Sequence, residues 1–124
     1  MFYSCTSLVK APKLPATTLA VCCYESMFYD CTSLTTAPEL PATTLANSCY
    51  HGMFRNCSSI LKAPTLSAPI LVSYCYRMMF NGCTNLNYVK CLATNNISAN
   101  ECTLSWVKDV SSTGTFICAN NVNW

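Results

Sequence analysis

Eleven cysteines, one histidine and five acidic residues are the side chains in this 124-residue chain with chemistry to offer. Seven of the cysteines fall into two rows: Cys5, Cys31, Cys57 and Cys83, then Cys23, Cys49 and Cys75. A zinc site needs ligand pairs two to four residues apart, usually with histidine. No C-x-x-C occurs, and the only histidine is His51. Disulfides remain possible in principle. However, a row of like thiols gives each member two rival partners, and eleven is odd. The reading we prefer is free thiols that act as small apolar fillers at tight turns. Cys22, next to Cys23, reads as an incidental surface residue. Glu25, Asp30, Glu39, Glu101 and Asp109 form no pair, and His51 has no orienting third residue, so no catalytic residues are assigned. The three glycines cannot make a phosphate loop. The sequence points to a non-enzymatic protein with neither metal nor cofactor.

The spacing of the cysteines comes from the elements that carry them. MFYDCTSL at 27–34 recurs as MFYSCTSL at 1–8, MFRNCSSI at 53–60 and MFNGCTNL at 79–86. Residues 1–26 and 27–52 agree at 18 of 26 positions. A fixed period of this length marks a repeat architecture. Stacked repeats bring like residues into columns. The expected columns are Phe2, Phe28, Phe54, Phe80 and Trp106; Leu8, Leu34, Ile60 and Leu86; Leu14, Leu40, Leu66 and Leu92; Leu19, Leu45, Leu71 and Ile97; and Tyr24, Tyr50 and Tyr76.

Proline has no N–H to give to a ladder. Pro12 and Pro15, Pro38 and Pro41, and Pro64 and Pro69 therefore limit any strand to a short piece, about 33–37 in the second copy. Leu45, Ala46, Cys49, Tyr50, Met53 and Phe54 then recur at i, i+1, i+4 and i+5, which predicts one face of a helix. Each 26-residue unit is thus a short parallel strand, a proline corner and one or two helical turns. The expected class is an α/β repeat solenoid with repeats over 1–97, a C-terminal cap over 98–118 and the start of a linker at 119–124. The chain opens on the repeat's own Met column without a polar cap, which leads us to expect a piece of a longer protein.

The F-x-x-C-T-S-L-x-x-A-P motif resembles the leucine-rich repeats of the BspA type, over about 1–98. The tail LSWVKDVSSTGTF at 104–116 is similar to the segment that closes such arrays. That resemblance implies a right-handed leucine-rich-repeat coil. It also implies a scaffold for adhesion, at the surface of a gut bacterium or on a phage virion.

Composition narrows the partners. Hydrophobic residues make up 52% and charged residues 10%, with a net charge of +2 and no basic stripe, so nucleic acid is not expected. No apolar run is long enough for a membrane span. Positions that vary between copies mark the surface left free by the core. On the strand side these are Lys10, Thr36, Lys62 and Tyr88, with Lys13, Glu39 and Thr65 beside them and Cys91 as the fourth member of that second row. This mixed polar row suits a protein or glycan ligand. The alternative is purely architectural: an open face led by Phe2 and Leu8 that stacks end to end on another copy. Tyr29, Arg55 and Asn81, with Asp30, Asn56 and Gly82, read as exposed loop.

Overall fold

The computed structural model describes residues 1–124 and contains no helix. Regular strand is confined to β1 (Tyr88–Cys91) and β2 (Thr115–Cys118), which pair in parallel with Tyr88 opposite Thr115. The expected α/β solenoid, a right-handed leucine-rich-repeat coil with helical turns, is therefore not what this sequence forms. In its place are four ribbons of consecutive turns over 20–31, 46–57, 72–83 and 99–109, joined by irregular extended segments.

The second ribbon shows why a helix fails. Its backbone N–H groups divide into two sets. Those of Cys49, His51, Met53, Arg55 and Cys57 close turns onto the carbonyl three residues back, at 3.0–3.2 Å. Those of Ser48, Tyr50, Gly52, Phe54 and Asn56 leave the ribbon and reach Ser73, Cys75, Arg77, Met79 and Asn81 at 2.8–3.1 Å. A helix would direct every N–H to i−4 and leave none for the neighbour. Every fourth residue is also left-handed: Ser48 (φ 57°), Gly52 (59°) and Asn56 (61°). The first ribbon repeats this at Cys22, Ser26 and Asp30, and the third at Tyr74, Met78 and Gly82. Left-handed residues cannot continue a right-handed helix. The apolar spacing i, i+1, i+4, i+5 has a period of four, which is the period of this ribbon and not the 3.6 of an α-helix.

The extended segments are short where proline sits. Between the first two copies only isolated bridges form, Lys10 to Thr36 and Thr18 to Thr44. Pro41 has no N–H for the Leu14 carbonyl, whereas Leu92 later donates to Leu66 at 2.9 Å. Both true strands lie in the part of the chain after Pro69, which contains no proline.

Stacking puts like residues together at about one repeat's spacing. Phe2, Phe28, Phe54 and Phe80 stack with centroids 5.5, 5.5 and 5.6 Å apart and planes within 8°. Tyr24, Tyr50 and Tyr76 stack at 5.9 and 6.0 Å. Phe28, Phe54, Phe80, Leu34, Ile60 and Leu86 are buried, each contributing about 1.5–3 kcal/mol of apolar burial.

The fourth copy departs from the expected register. Leu66 bridges Cys91, not Leu92, so Cys91 is buried in the leucine column and Leu92 faces outward. Likewise Leu71 donates to Asn95, and Ile97 is only half-buried. The ribbon after it then regains the lost residue and one more. Phe28, Phe54 and Phe80 donate to Met53, Met79 and Trp106 in turn, which puts Trp106 in the methionine column and Val107 in the phenylalanine one. The Trp106 ring lies on Tyr76, 6.1 Å away and 14° from parallel. A strict count of 26 cannot see this compensating slip.

Candidate functional site

The extended segments carry the variable row. Lys10 pairs with Thr36, and Lys62 with Tyr88, as parallel bridges. The proline corners beside them hold the chains apart and leave two cavities. One, of about 580 Å³, is lined by Lys10, Lys13, Thr36 and Glu39 with Pro12, Pro15, Pro38 and Pro41. The other, of about 470 Å³, is lined by Thr36, Glu39, Lys62 and Thr65 with Pro38, Pro41 and Pro64. The shared Thr36, Glu39, Pro38 and Pro41 make them one trough.

Six of the seven residues singled out from sequence thus line one feature: Lys10, Lys13, Thr36, Glu39, Lys62 and Thr65. All six are exposed. Tyr88 is half-buried outside the trough. Its ring takes the Lys62 ammonium at 4.8 Å. Cys91 is not part of this surface, because the register shift buries it; the carbonyl of Lys90 accepts from Leu66 at that level. Phe2 and Leu8, the expected stacking pair, are half-buried on the first copy, with Phe2 against Phe28 on one side.

The opposite side, formed by the ribbons, is organised differently. Glu25 and His51 pair at 3.2 Å, and Arg77 and Glu101 at 3.0 Å. Asn56 Nδ2 donates to Asp30 Oδ1 at 2.8 Å. Tyr3 and Tyr29 stack at 4.7 Å with planes 3° apart, and the Arg55 guanidinium lies 5.4 Å over Tyr29. The set read as exposed loop is a half-buried ladder of matched side chains. Its signal in the sequence was the pairing of unlike residues one period apart, Glu25 with His51 and Asp30 with Asn56. On the ribbon side Asp30 accepts from Asn56, Arg55 lies over Tyr29, and the charged groups of Glu25, His51, Arg77 and Glu101 are committed to ion pairs. Those of the trough are not: Lys10, Lys13 and Glu39 enter no ion pair or side-chain hydrogen bond.

The thiols are built for packing. Cys31, Cys57 and Cys83 donate S–H to the carbonyls of Phe2, Phe28 and Phe54 at 2.9, 3.0 and 2.9 Å. Burial raises the Cys49 and Cys91 thiols to about 11, and Cys75 and Cys83 to about 12. A thiolate nucleophile needs the opposite shift. Cys22 is exposed, and its thiol is raised chiefly by its hydrogen bond with Glu25, then by slight desolvation. No three His, Cys, Asp or Glu side chains converge as a metal site would require. No helix is long and apolar enough to cross a membrane. Compared with known proteins, the chain matches no protein family, no curated protein and no solved structure.

Proposed function

We propose that the chain is a non-enzymatic interaction scaffold that takes a polar protein or glycan partner in the proline-walled trough. One observation carries this reading. Lys10, Lys13 and Glu39 of the trough enter no ion pair or side-chain hydrogen bond and Lys62 meets only the Tyr88 ring, while on the ribbon side Glu25 pairs with His51 and Arg77 with Glu101. Unpaired exposed charge costs nothing in water and is free to meet a partner. The proline corners add to this, since their fixed φ keeps the walls from collapsing at little further entropy cost. Lys10, Lys13 and Lys62 give ammonium donors, Glu39 an acceptor, and Thr36 and Thr65 hydroxyls that both donate and accept. That set fits hydroxyl-rich or mixed-charge surfaces better than apolar ones. The resemblance to BspA-type surface repeats favours adhesion outside the cell or on a virion.

The test is surface plasmon resonance against an array of neutral and acidic oligosaccharides and against mucin, intact and deglycosylated. The wild-type chain is expected to bind, with loss on deglycosylation if the glycan is the ligand and retention if the polypeptide is. Lys10→Glu/Lys62→Glu should weaken binding at least tenfold with an unchanged circular dichroism spectrum. No binding to any of these probes, or equal binding by the double variant, overturns the proposal.

A further inference from the structure

The extended segments of neighbouring copies are laddered at two junctions and not at the one between them. Between the first and second copies, Ala11 donates to Thr36, Thr35 and Thr36 to Val9, Thr43 and Thr44 to Thr17, and Leu19 to Thr44, at 2.9–3.4 Å. Between the third and fourth, Asn87 donates to Leu61, Ala63 to Tyr88, Thr94 and Asn95 to Pro69, and Leu71 to Asn95, at 2.9–3.2 Å. Between the second and third, no backbone hydrogen bond links 34–46 to 60–72, and no bridge forms. The N–H groups of Ala37 and Leu45, counterparts of Ala11 and Leu19, donate to no backbone carbonyl. The carbonyls of Thr35 and Thr43, counterparts of Val9 and Thr17, accept no backbone N–H.

The sequence accounts for part of this gap. The carbonyls of Thr17 and Pro69 each take two N–H groups from the copy that follows. At the middle junction the first of those two donors would be residue 69, the counterpart of Thr43, and a proline there has no N–H. The ribbon bonds that flank the gap are intact. Phe28 and Asp30 donate to Met53 and Arg55 before it, and Ser48 and Tyr50 to Ser73 and Cys75 after it, at 2.9–3.1 Å. Phe28 still stacks on Phe54 at 5.5 Å, and Tyr50 on Tyr76 at 6.0 Å. The 470 Å³ part of the trough, with Glu39 on one wall and Lys62 and Thr65 on the other, lies where the ladder is missing.

We infer that this part of the trough is a clamp, whose walls over 35–46 and 60–71 part and close on hinges formed by the flanking ribbons. Local opening is cheapest where fewest bonds must break, and here the backbone holds none across the gap. Pro38 and Pro41 stiffen one wall, and Pro64 and Pro69 the other, so each moves as a piece. Leu40, Leu45, Leu66 and Leu71 are buried in the core beneath the walls, which keeps the opening small. An occupant touching both Glu39 and Lys62 makes more contacts with the closed form and shifts the population toward it. The motion belongs to the free chain, so it is independent of whether the trough takes a polar partner.

Backbone amide relaxation dispersion, which reads exchange on the μs–ms scale, tests it without a ligand. In the wild-type chain, exchange should appear at Ala37, Leu45, Lys62 and Ile70, on the two walls. Ala11 and Leu19 of the first junction, and Tyr50 and Gly52 of the ribbons, should show none. Pro69→Thr restores the residue type found at 43, whose N–H donates to Thr17, and should quench the exchange on both walls. Thr43→Pro removes that donor from the first junction and should bring exchange to Leu19. Both positions are exposed, so neither change disturbs the core, and an amide spectrum unchanged away from the walls confirms it. Silent walls in the wild type, exchange spread evenly over all three junctions, exchange that survives Pro69→Thr, or a Leu19 that stays silent in Thr43→Pro would each overturn the inference.

Discussion

The Cys57 thiol donates to the carbonyl oxygen of Phe28, one repeat earlier, at 3.0 Å. The same oxygen already accepts the backbone N–H of Cys31 at 3.1 Å. The carbonyls of Phe2, Phe28 and Phe54 therefore each use both lone pairs, one inside their own turn and one across the junction. Serine would present a shorter, harder donor, and alanine none. Cys57→Ala should cost about 1–2 kcal/mol, from the lost hydrogen bond and the small void. Cys5 is exposed and has no such carbonyl partner, so Cys5→Ala should stay within about 0.5 kcal/mol of wild type. Urea unfolding of both variants decides it. Equal effects would mean that the thiol column is filler and not a bonded ladder.

The buried thiols also set how stability depends on pH. Burial holds Cys49 and Cys91 at about 11 and Cys75 and Cys83 at about 12 in the folded chain, against an ordinary value of 9.0. Between these values the unfolded chain releases protons that the folded chain keeps. The folded state therefore binds more protons, and stability falls as pH rises. Stability should be flat with respect to these groups below about pH 9 and decline steeply above it, by up to about 2 kcal/mol per thiol at pH 10.5. Alkylation of the native chain at pH 8 should mark Cys5, Cys22 and Cys23, which are exposed, and spare the seven buried thiols. Rapid labelling of Cys57 or Cys75 without unfolding would contradict this packing.

Asp30, Asn56 and Gly82 occupy one left-handed column, with φ of 58°, 61° and 76°. Asn56 reaches back to Asp30, and its amide oxygen lies where a Cβ on Gly82 would be. Gly82→Ala thus meets both an unfavourable φ and a clash, and should destabilise by about 2–3 kcal/mol. In an Asn56→Ala background the clash is gone. The same substitution should then cost only about 1 kcal/mol, the left-handed penalty alone. A double-mutant cycle by thermal or urea melts measures the difference. Strict additivity would show that the glycine serves φ and nothing else.

The sequence made these columns legible and the conformation between them much less so. The phenylalanine, tyrosine and leucine rows follow from the 26-residue period, because like side chains must meet when units stack. The helix expected over Leu45–Phe54 rested on an apolar pattern that a four-residue turn ribbon satisfies equally. The discriminating signal was a second one: Ser48, Gly52 and Asn56, with Cys22, Ser26 and Asp30 before them, put turn-tolerant residues at every fourth position. Tyr74 and Met78, bulky at the same left-handed positions, hide it in the third copy. The trough was legible as a variable row because exposure frees identity. The ribbon-side ladder was not, since its residues vary in matched pairs and so look like drift. Nor could a fixed period show that one residue is lost before Cys91 and two are gained before Trp106.

That last shift makes its own prediction. Trp106 is buried between Tyr76 and Trp124, with centroids at 6.1 and 5.5 Å, while Val107 holds the place below Phe80. Removing the indole should open a large void at the end of the core. Trp106→Ala should cost about 3–5 kcal/mol, and Trp106→Phe appreciably less because one ring still covers Tyr76. Val107 is half-buried, so Val107→Ala should cost no more than about 1 kcal/mol. If the count of 26 held to the end of the chain, Trp106 would instead lie on Phe80, and replacing Phe80 with leucine would disturb its fluorescence most. In the register found here, Tyr76→Leu changes the Trp106 emission and Phe80→Leu leaves it nearly unmoved. Emission spectra in a Trp124→Phe background separate the two, since Trp106 is then the only tryptophan. A larger change from Phe80→Leu would restore the uninterrupted register and remove Val107 from the phenylalanine column.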